Sequence, residues 1–160
     1  MINKLIENSK KLNKLVLVDP KKDNYWEYKN VDLFKPNLNE LNHSSELELK
    51  STEIDKITSE VLAQREKLNA KNFMLTLSQN GVFIQNDLQE HHFPAFERNV
   101  IDVSGAGDCV IATASLALAS GLSMEKIAQL SNLAGGLSCE KVGVNPVEKE
   151  NLLKEAIRLI

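Results

Sequence analysis

The run Leu15-Val16-Leu17-Val18-Asp19-Pro20 limits the fold more than any other stretch of this chain. Four apolar residues in a row cannot alternate between a wet face and a dry one, so a strand built from them is covered on both sides. Asp19 and Pro20 end it, because proline lacks the N–H that a continuing ladder needs. Strands of this kind belong to parallel sheets flanked by helices. The next segments fit that demand. Residues 31–35, V-D-L-F-K, give a second short strand ending at Pro36-Asn37. Residues 51–69 place Ile54, Ile57, Val61, Leu62 and Leu68 at helical steps, with Thr52 and Asp55 spaced as a capping box. A third strand, F-M-L-T-L-S, covers 73–78. Gln79-Asn80-Gly81 then turns the chain into V-F-I-Q, and Asn86-Asp87 turns it again into H-H-F-P-A.

The remaining segments read as helices. Ile2, Leu5, Ile6 and Leu12 mark one over residues 2–13. Residues 106–120 are rich in Ala and stop at Gly121, and Ser123 caps a further helix reaching about Cys139. Asn145-Pro146-Val147-Glu148 supplies an N-cap, a first-turn proline and an acid at the third position of a last helix to Ile160. S-S-E-L-E-L-K, Ser44 to Lys50, shows no dominant period and fits a loop, a short helix or a strand. Strands separated by helices, with a short antiparallel piece in the middle, argue an α/β sheet covered by helices. With 160 residues, no repeat and no linker, one domain is expected.

A formal charge of -3 gives no general attraction to nucleic acid or anionic lipid. No run of 18 apolar residues is present, and the N-terminus lacks a signal peptide's apolar core. Cys109 and Cys139 lie 30 positions apart without a C-x-x-C, which points to reduced thiols and a cytoplasmic setting. His91-His92 has no third ligand nearby in sequence and reads as surface or strand filler rather than a metal site.

Four stretches carry chemistry. In I-D-V-S-G-A-G-D-C, Gly105-Ala106-Gly107 enters a helix, where unpaired N–H groups and the positive end of the helix dipole form an anion cradle. The same glycines also serve close packing. Asp108 either stabilises the first turn or accepts the proton of a hydroxyl attacking a phosphoryl group held in that cradle. Asp102 ends the preceding strand, where it would orient the loop or meet a cation. In P-N-L-N-E, Asn37 and Glu40 share one face of a helical turn, a spacing that fits magnesium held partly through water and fits a capping box equally. T-L-S-Q-N-G, with Thr76, Ser78 and Gly81, is either a phosphate-contacting turn or a plain hairpin. The small-residue helix with Asn132, followed by Val142 and Gly143, packs closely or borders a flat ligand.

Together, in the chain order N-x-x-E, T-x-x-x-x-G, D-x-x-G-A-G-D and then the small-residue helix with Asn132, these motifs resemble the ribokinase-like carbohydrate kinases over nearly the whole chain. The resemblance implies a three-layer αβα, Rossmann-like sheet, here as the C-terminal half of one kinase domain spanning 1–160. Ser104 stands where the family often has Thr, and Ser78 where many members have Gly. By the resemblance, Asp108 is the catalytic base and Gly105, Ala106 and Gly107 form the anion hole. Asn37 and Glu40 organise Mg2+. Lys21, Thr76, Ser78 and Gly81 lie near the nucleotide, Asn132, Val142 and Gly143 border its adenosine, and Asp102 belongs to a loop for a monovalent cation, K+. V-D-P-K, Y-K-N-V-D-L-F-K-P-N and the T-x-S form look most like the heptose 7-phosphate kinases of ADP-heptose and lipopolysaccharide synthesis. The expected partners are ATP and a phosphorylated sugar, with no nucleic acid and no membrane. The sugar-selecting half and its lid are expected outside this chain, so that the chain alone is inactive and either pairs with that half or forms a homodimer. A nucleotide-binding module without catalysis and a self-associating domain are the other readings.

Overall fold

Leu17 pairs with Leu33 and Val18 with Phe34, so the two short apolar runs lie side by side as parallel strands β1 (Leu17–Val18) and β2 (Leu33–Phe34). The computed structural model describes residues 1–160 and shows two compact units, Met1–His91 and His92–Ile160. In the first, β3 (Phe73–Thr76) runs parallel to β2, with Phe34 opposite Phe73. β4 (Val82–Gln85) runs antiparallel to β3, with Met74 opposite Ile84. β5 (Glu90–Phe93) completes a mixed sheet in the order β1-β2-β3-β4-β5. The helices α1 (Ile2–Lys11), α2 (Leu38–Ser45) and α3 (Ile54–Leu68) belong to this unit. No helix of the chain is long and apolar enough to cross a membrane.

The core of the first unit is aromatic at its centre. Tyr25 meets Phe34 edge-on at 4.9 Å between ring centroids, and Phe34 lies 5.4 Å from Phe73. Phe34 and Phe73 are fully buried, as are Val31, Leu41, Ile57, Val61 and Leu68. Each such side chain contributes about 1.5–3 kcal/mol on leaving water. Tyr25 is delivered by a 3-10 turn over Lys22–Glu27 that the sequence pattern did not announce. Its phenol donates to the buried Gln64 of α3, whose amide donates to Leu41 O at 3.3 Å and Ser44 Oγ at 2.9 Å. Burial pushes the Tyr25 phenol well above its ordinary range.

Several boundaries differ from those expected, each for a local reason. β1 is shorter than Leu15–Asp19 because the Val16 amide donates to the Asp32 carboxylate at 2.9 Å, replacing a backbone partner. Thr52 does not cap α3. Glu53 takes that place, and its carboxylate accepts the Lys50 amide at 2.8 Å and the Lys56 ammonium at 2.6 Å. Ser44 and Ser45 end α2, whereas Leu47–Lys50 stays outside regular structure. There the Asn42 side chain pairs with both the amide and the carbonyl of Leu49, at 3.1 and 2.9 Å.

The second unit holds α4 (Ala106–Ala119), α5 (Met124–Ser138) and α6 (Lys149–Leu159). α4 and α5 approach so closely that a Cβ on Gly135 would meet Val110 Cγ2 at 2.8 Å. Arg98 ties this unit together, reaching Glu140 at 3.1 Å and Glu155 of α6 at 2.5 Å. Asn145 is not the N-cap expected of the last helix. α6 starts at Lys149 behind Glu148, because the Asn145 amide turns back to the carbonyls of Val142 and Gly143.

Candidate functional site

In the first unit, parallel strands deliver three turns at their carboxyl ends, where ligands of open α/β sheets gather. After β1, Lys21 is exposed at the start of the 3-10 turn. After β2 comes the Asn37 turn, and after β3 the Thr76–Gly81 turn. The last two are neighbours, since Asn37 and Thr76 form a parallel bridge and the Thr76 amide donates to Pro36 O at 3.1 Å. Beneath them the fully buried Lys35 pairs with Asp19 at 3.2 Å, joining the ends of β2 and β1. The sequence signal for this pair was a lysine closing an apolar strand, and motif reading passed over it.

Asn37 and Glu40 form a complete capping box. The Glu40 amide donates to Asn37 Oδ1 at 2.9 Å, and the Asn37 amide donates to Glu40 Oε2 at 2.8 Å. Glu40 is buried, and its Oε1 is the carboxylate oxygen outside this box. Magnesium commonly takes one or two carboxylates, keeps several waters and shares substrate phosphates, so this small donor set fits an ion held largely through water. In the neighbouring turn, Ser78 has φ 54° and Gly81 φ 84°, and the Leu77 amide donates to Gly81 O at 2.8 Å. Asn80 reaches Ser51 Oγ at 2.6 Å, holding the turn from outside.

A cleft of about 350 Å³ in this unit lies elsewhere, between Trp26, Ser44, Glu60 and Lys67. No candidate residue lines it. Lys67 sits 3.6 Å over the Trp26 ring, and Gln64 ties the cleft's polar groups to one another.

The second unit contains the glycine loop. Gly105 is the N-cap of α4 at φ 80°, a left-handed conformation that glycine adopts without steric penalty. A Cβ there would also lie 2.9 Å from Val144 Cγ1. The Ala106 amide is taken by Val103 O at 3.2 Å and the Cys109 amide by Gly105 O at 3.0 Å. Gly107 and Asp108, between them in the first turn, have amides with no acceptor in the helix. Asp108 is exposed. This entry can cradle an anion beside a carboxylate.

Asp102 lies behind the loop. Its Oδ1 accepts the Ser104 amide at 2.9 Å and the Ser104 hydroxyl at 2.8 Å, and its Oδ2 accepts the Gly143 amide at 2.8 Å. These bonds, led by the one from the Ser104 amide, hold its carboxyl below the usual range. Val142 is exposed, and Gly143 has φ 83°. Asn132 is buried in α5 and donates to Pro94 O at 2.8 Å, so its amide anchors the segment leading to the loop.

A family model described as pfkB family carbohydrate kinase matches residues 1–151. Among curated proteins, the bifunctional protein HldE of Paramagnetospirillum magneticum is 38% identical over 143 residues, covering 87% of this chain and 28% of that protein. The bifunctional protein HldE of Campylobacter curvus is 35% identical over 153 residues, covering 94% of this chain and 32% of that protein. Among solved structures, Escherichia coli phosphofructokinase-2 in complex with potassium matches with a TM-score of 0.88 at 21% identity, over 99% of this chain and 52% of that one. Thermotoga maritima ribokinase matches with a TM-score of 0.82 at 22% identity, over 98% and 53%. The α/β fold is therefore the one shared by those two structures. The chain spans about half of each, and less than a third of the two HldE proteins.

Proposed function

Because the chain belongs to the pfkB family of carbohydrate kinases, we propose that it carries the nucleotide and base side of an ATP-dependent sugar kinase. The sugar in this reading is a heptose 7-phosphate, phosphorylated at its anomeric hydroxyl towards ADP-heptose. The observation that carries the reading is the entry to α4. There a left-handed Gly105 opens a helix whose first turn holds unpaired amides and the exposed Asp108.

Asp108 takes the proton of the attacking hydroxyl. At the Gly105-Ala106-Gly107 entry, the unpaired amides of Gly107 and Asp108 stabilise charge on the transferring phosphoryl group, whereas the Ala106 amide is held by Val103 O. In the first unit, Glu40 and Asn37 hold the waters of magnesium, and Lys21, Thr76, Ser78 and Gly81 meet the nucleotide. Bound magnesium would draw charge from the β- and γ-phosphates of ATP. In the second unit Val142 and Gly143 border the adenosine, with Asn132 fixing the adjoining segment at Pro94. Support for a heptose comes from the V-D-P-K, P-N-x-x-E and T-x-S motifs and from the identity with HldE proteins.

The test measures phosphate transfer from ATP to heptose 7-phosphate, ribose and fructose 6-phosphate. It uses this chain alone and this chain with the N-terminal kinase half of an HldE relative supplied. The expected product is a heptose 1,7-bisphosphate, formed only when that half is present. Transfer to ribose or fructose 6-phosphate but not to the heptose would overturn the substrate assignment.

A further inference from the structure

The cleft between Trp26, Ser44, Glu60 and Lys67 holds none of the residues assigned to the nucleotide, and its volume of about 350 Å³ suits a small ligand. Its polar groups direct their protons at one another. Tyr25 donates to Gln64 Oε1, Ser44 to Leu41 O at 2.8 Å and Ser45 to Glu60 Oε1. The two protons of the buried Gln64 amide face four oxygens, Leu41 O, Ser44 Oγ, Ser45 Oγ and Glu60 Oε1, at 3.3, 2.9, 2.5 and 2.8 Å. Acceptors therefore outnumber protons, and Glu60 Oε2 takes part in none of these bonds. Glu46 adds a second carboxylate to the lining. Ser44 and Ser45 close α2, so the negative end of its dipole lies here as well. The Trp26 ring adds an electron-rich face, and the chain shows what that face takes: the ammonium of Lys67, 3.6 Å from the ring centroid.

We propose that this cleft binds an aliphatic diamine in its doubly protonated form. One ammonium takes the place of Lys67 over Trp26, and the other donates to the Glu60 carboxylate. Three features select this class. The two carboxylates of Glu46 and Glu60 match two positive charges once Lys67 has moved aside, and Lys67 is an exposed residue on a flexible stem. An ammonium with N–H groups supplies the protons that the cluster lacks, which a quaternary ammonium cannot do. The carbon chain between the two charges has Ala63 and the Trp26 ring to lie against. The site does not depend on the kinase reading, since it is built from the 3-10 turn over Lys22–Glu27, the end of α2 and α3 alone.

Trp26 is the chain's one tryptophan, so its fluorescence reads the site directly. The 160-residue chain is titrated with 1,4-diaminobutane, n-butylamine and tetramethylammonium, all as chlorides at equal ionic strength. The expected result is a saturable change in Trp26 emission with the diamine, a weaker affinity for the monoamine and no saturable change with tetramethylammonium. Glu60→Gln should weaken diamine binding about tenfold or more, the weight of a hydrogen bond to a charged acceptor. Glu46→Gln, at an exposed position, should weaken it severalfold and serves where Glu60→Gln does not fold. Lys67→Met should tighten it about two- to fivefold, because an exposed cation–π contact no longer competes. A diamine signal that does not saturate, or one matched by tetramethylammonium, would overturn the proposal. Unchanged affinity in the carboxylate variants, or in Lys67→Met, would overturn it as well.

Discussion

Gly105 and Gly143 share a left-handed backbone, with φ 80° and 83°, but their surroundings differ. A Cβ on Gly105 would press on Val144 Cγ1 at 2.9 Å, whereas one on Gly143 would meet nothing within 4 Å. Gly143→Ala should therefore cost only the conformational penalty, about 1 kcal/mol. Gly105→Ala adds a clash and should cost roughly 2–3 kcal/mol. Urea midpoints of the two variants check the order. Asp102 adds a pH effect with a definite sign. Its carboxyl is held low in the folded chain, so its stabilisation is present above the ordinary carboxylate range and is lost as pH falls through its folded value. Glu53 and Glu155, also held low by their cationic neighbours, add to the same acid loss. Asp102→Asn should thus narrow, without abolishing, the fall in melting temperature between neutral and acid pH. At this scale the glycine loop was legible because few residue types fit its backbone. Asn145 was misread because a turn asparagine beside Pro146 looks the same whether it caps a helix ahead or bonds carbonyls behind.

Among the elements, α2 was legible in sequence only at its start, because Asn37 and Glu40 have the spacing of a capping box, whereas its end at Ser45 fell in the undecided S-S-E-L-E-L-K stretch. Asn37→Ala should remove about 1 kcal/mol through the lost cap. Trp26, the chain's one tryptophan and a member of the same unit, reports this as an earlier unfolding midpoint in fluorescence. If Asn37 also organises magnesium, affinity for Mg·ADP falls more than that for ADP alone. Equal losses would confine Asn37 to capping. The helix starts at Glu53 and Glu148 escaped pattern reading because neither cap side chain is a standard one, and at Glu53 the bonds run to Lys50 and Lys56. The 3-10 turn over Lys22–Glu27 was hidden for another reason. Its shape comes from burying Tyr25 against Phe34, a contact that no local period records.

For the whole molecule, alternating buried strands and amphipathic helices made the α/β class readable, and the order of weak motifs made the family readable. No single motif would have sufficed, since each had a structural use of its own, and the structure shows several of those uses in Asn37, Asn132 and Asp102. The choice of sugar was not legible in the same way, because the chain covers about half of the solved structures it matches. The central claim concerns Asp108 as the base of phosphoryl transfer. Its most direct test is Asp108→Asn, with the HldE kinase half supplied, read as turnover and Mg·ADP affinity together. The account predicts a fall in turnover of about a hundredfold or more with nucleotide affinity nearly unchanged. Turnover equal to that of the unaltered chain would contradict it.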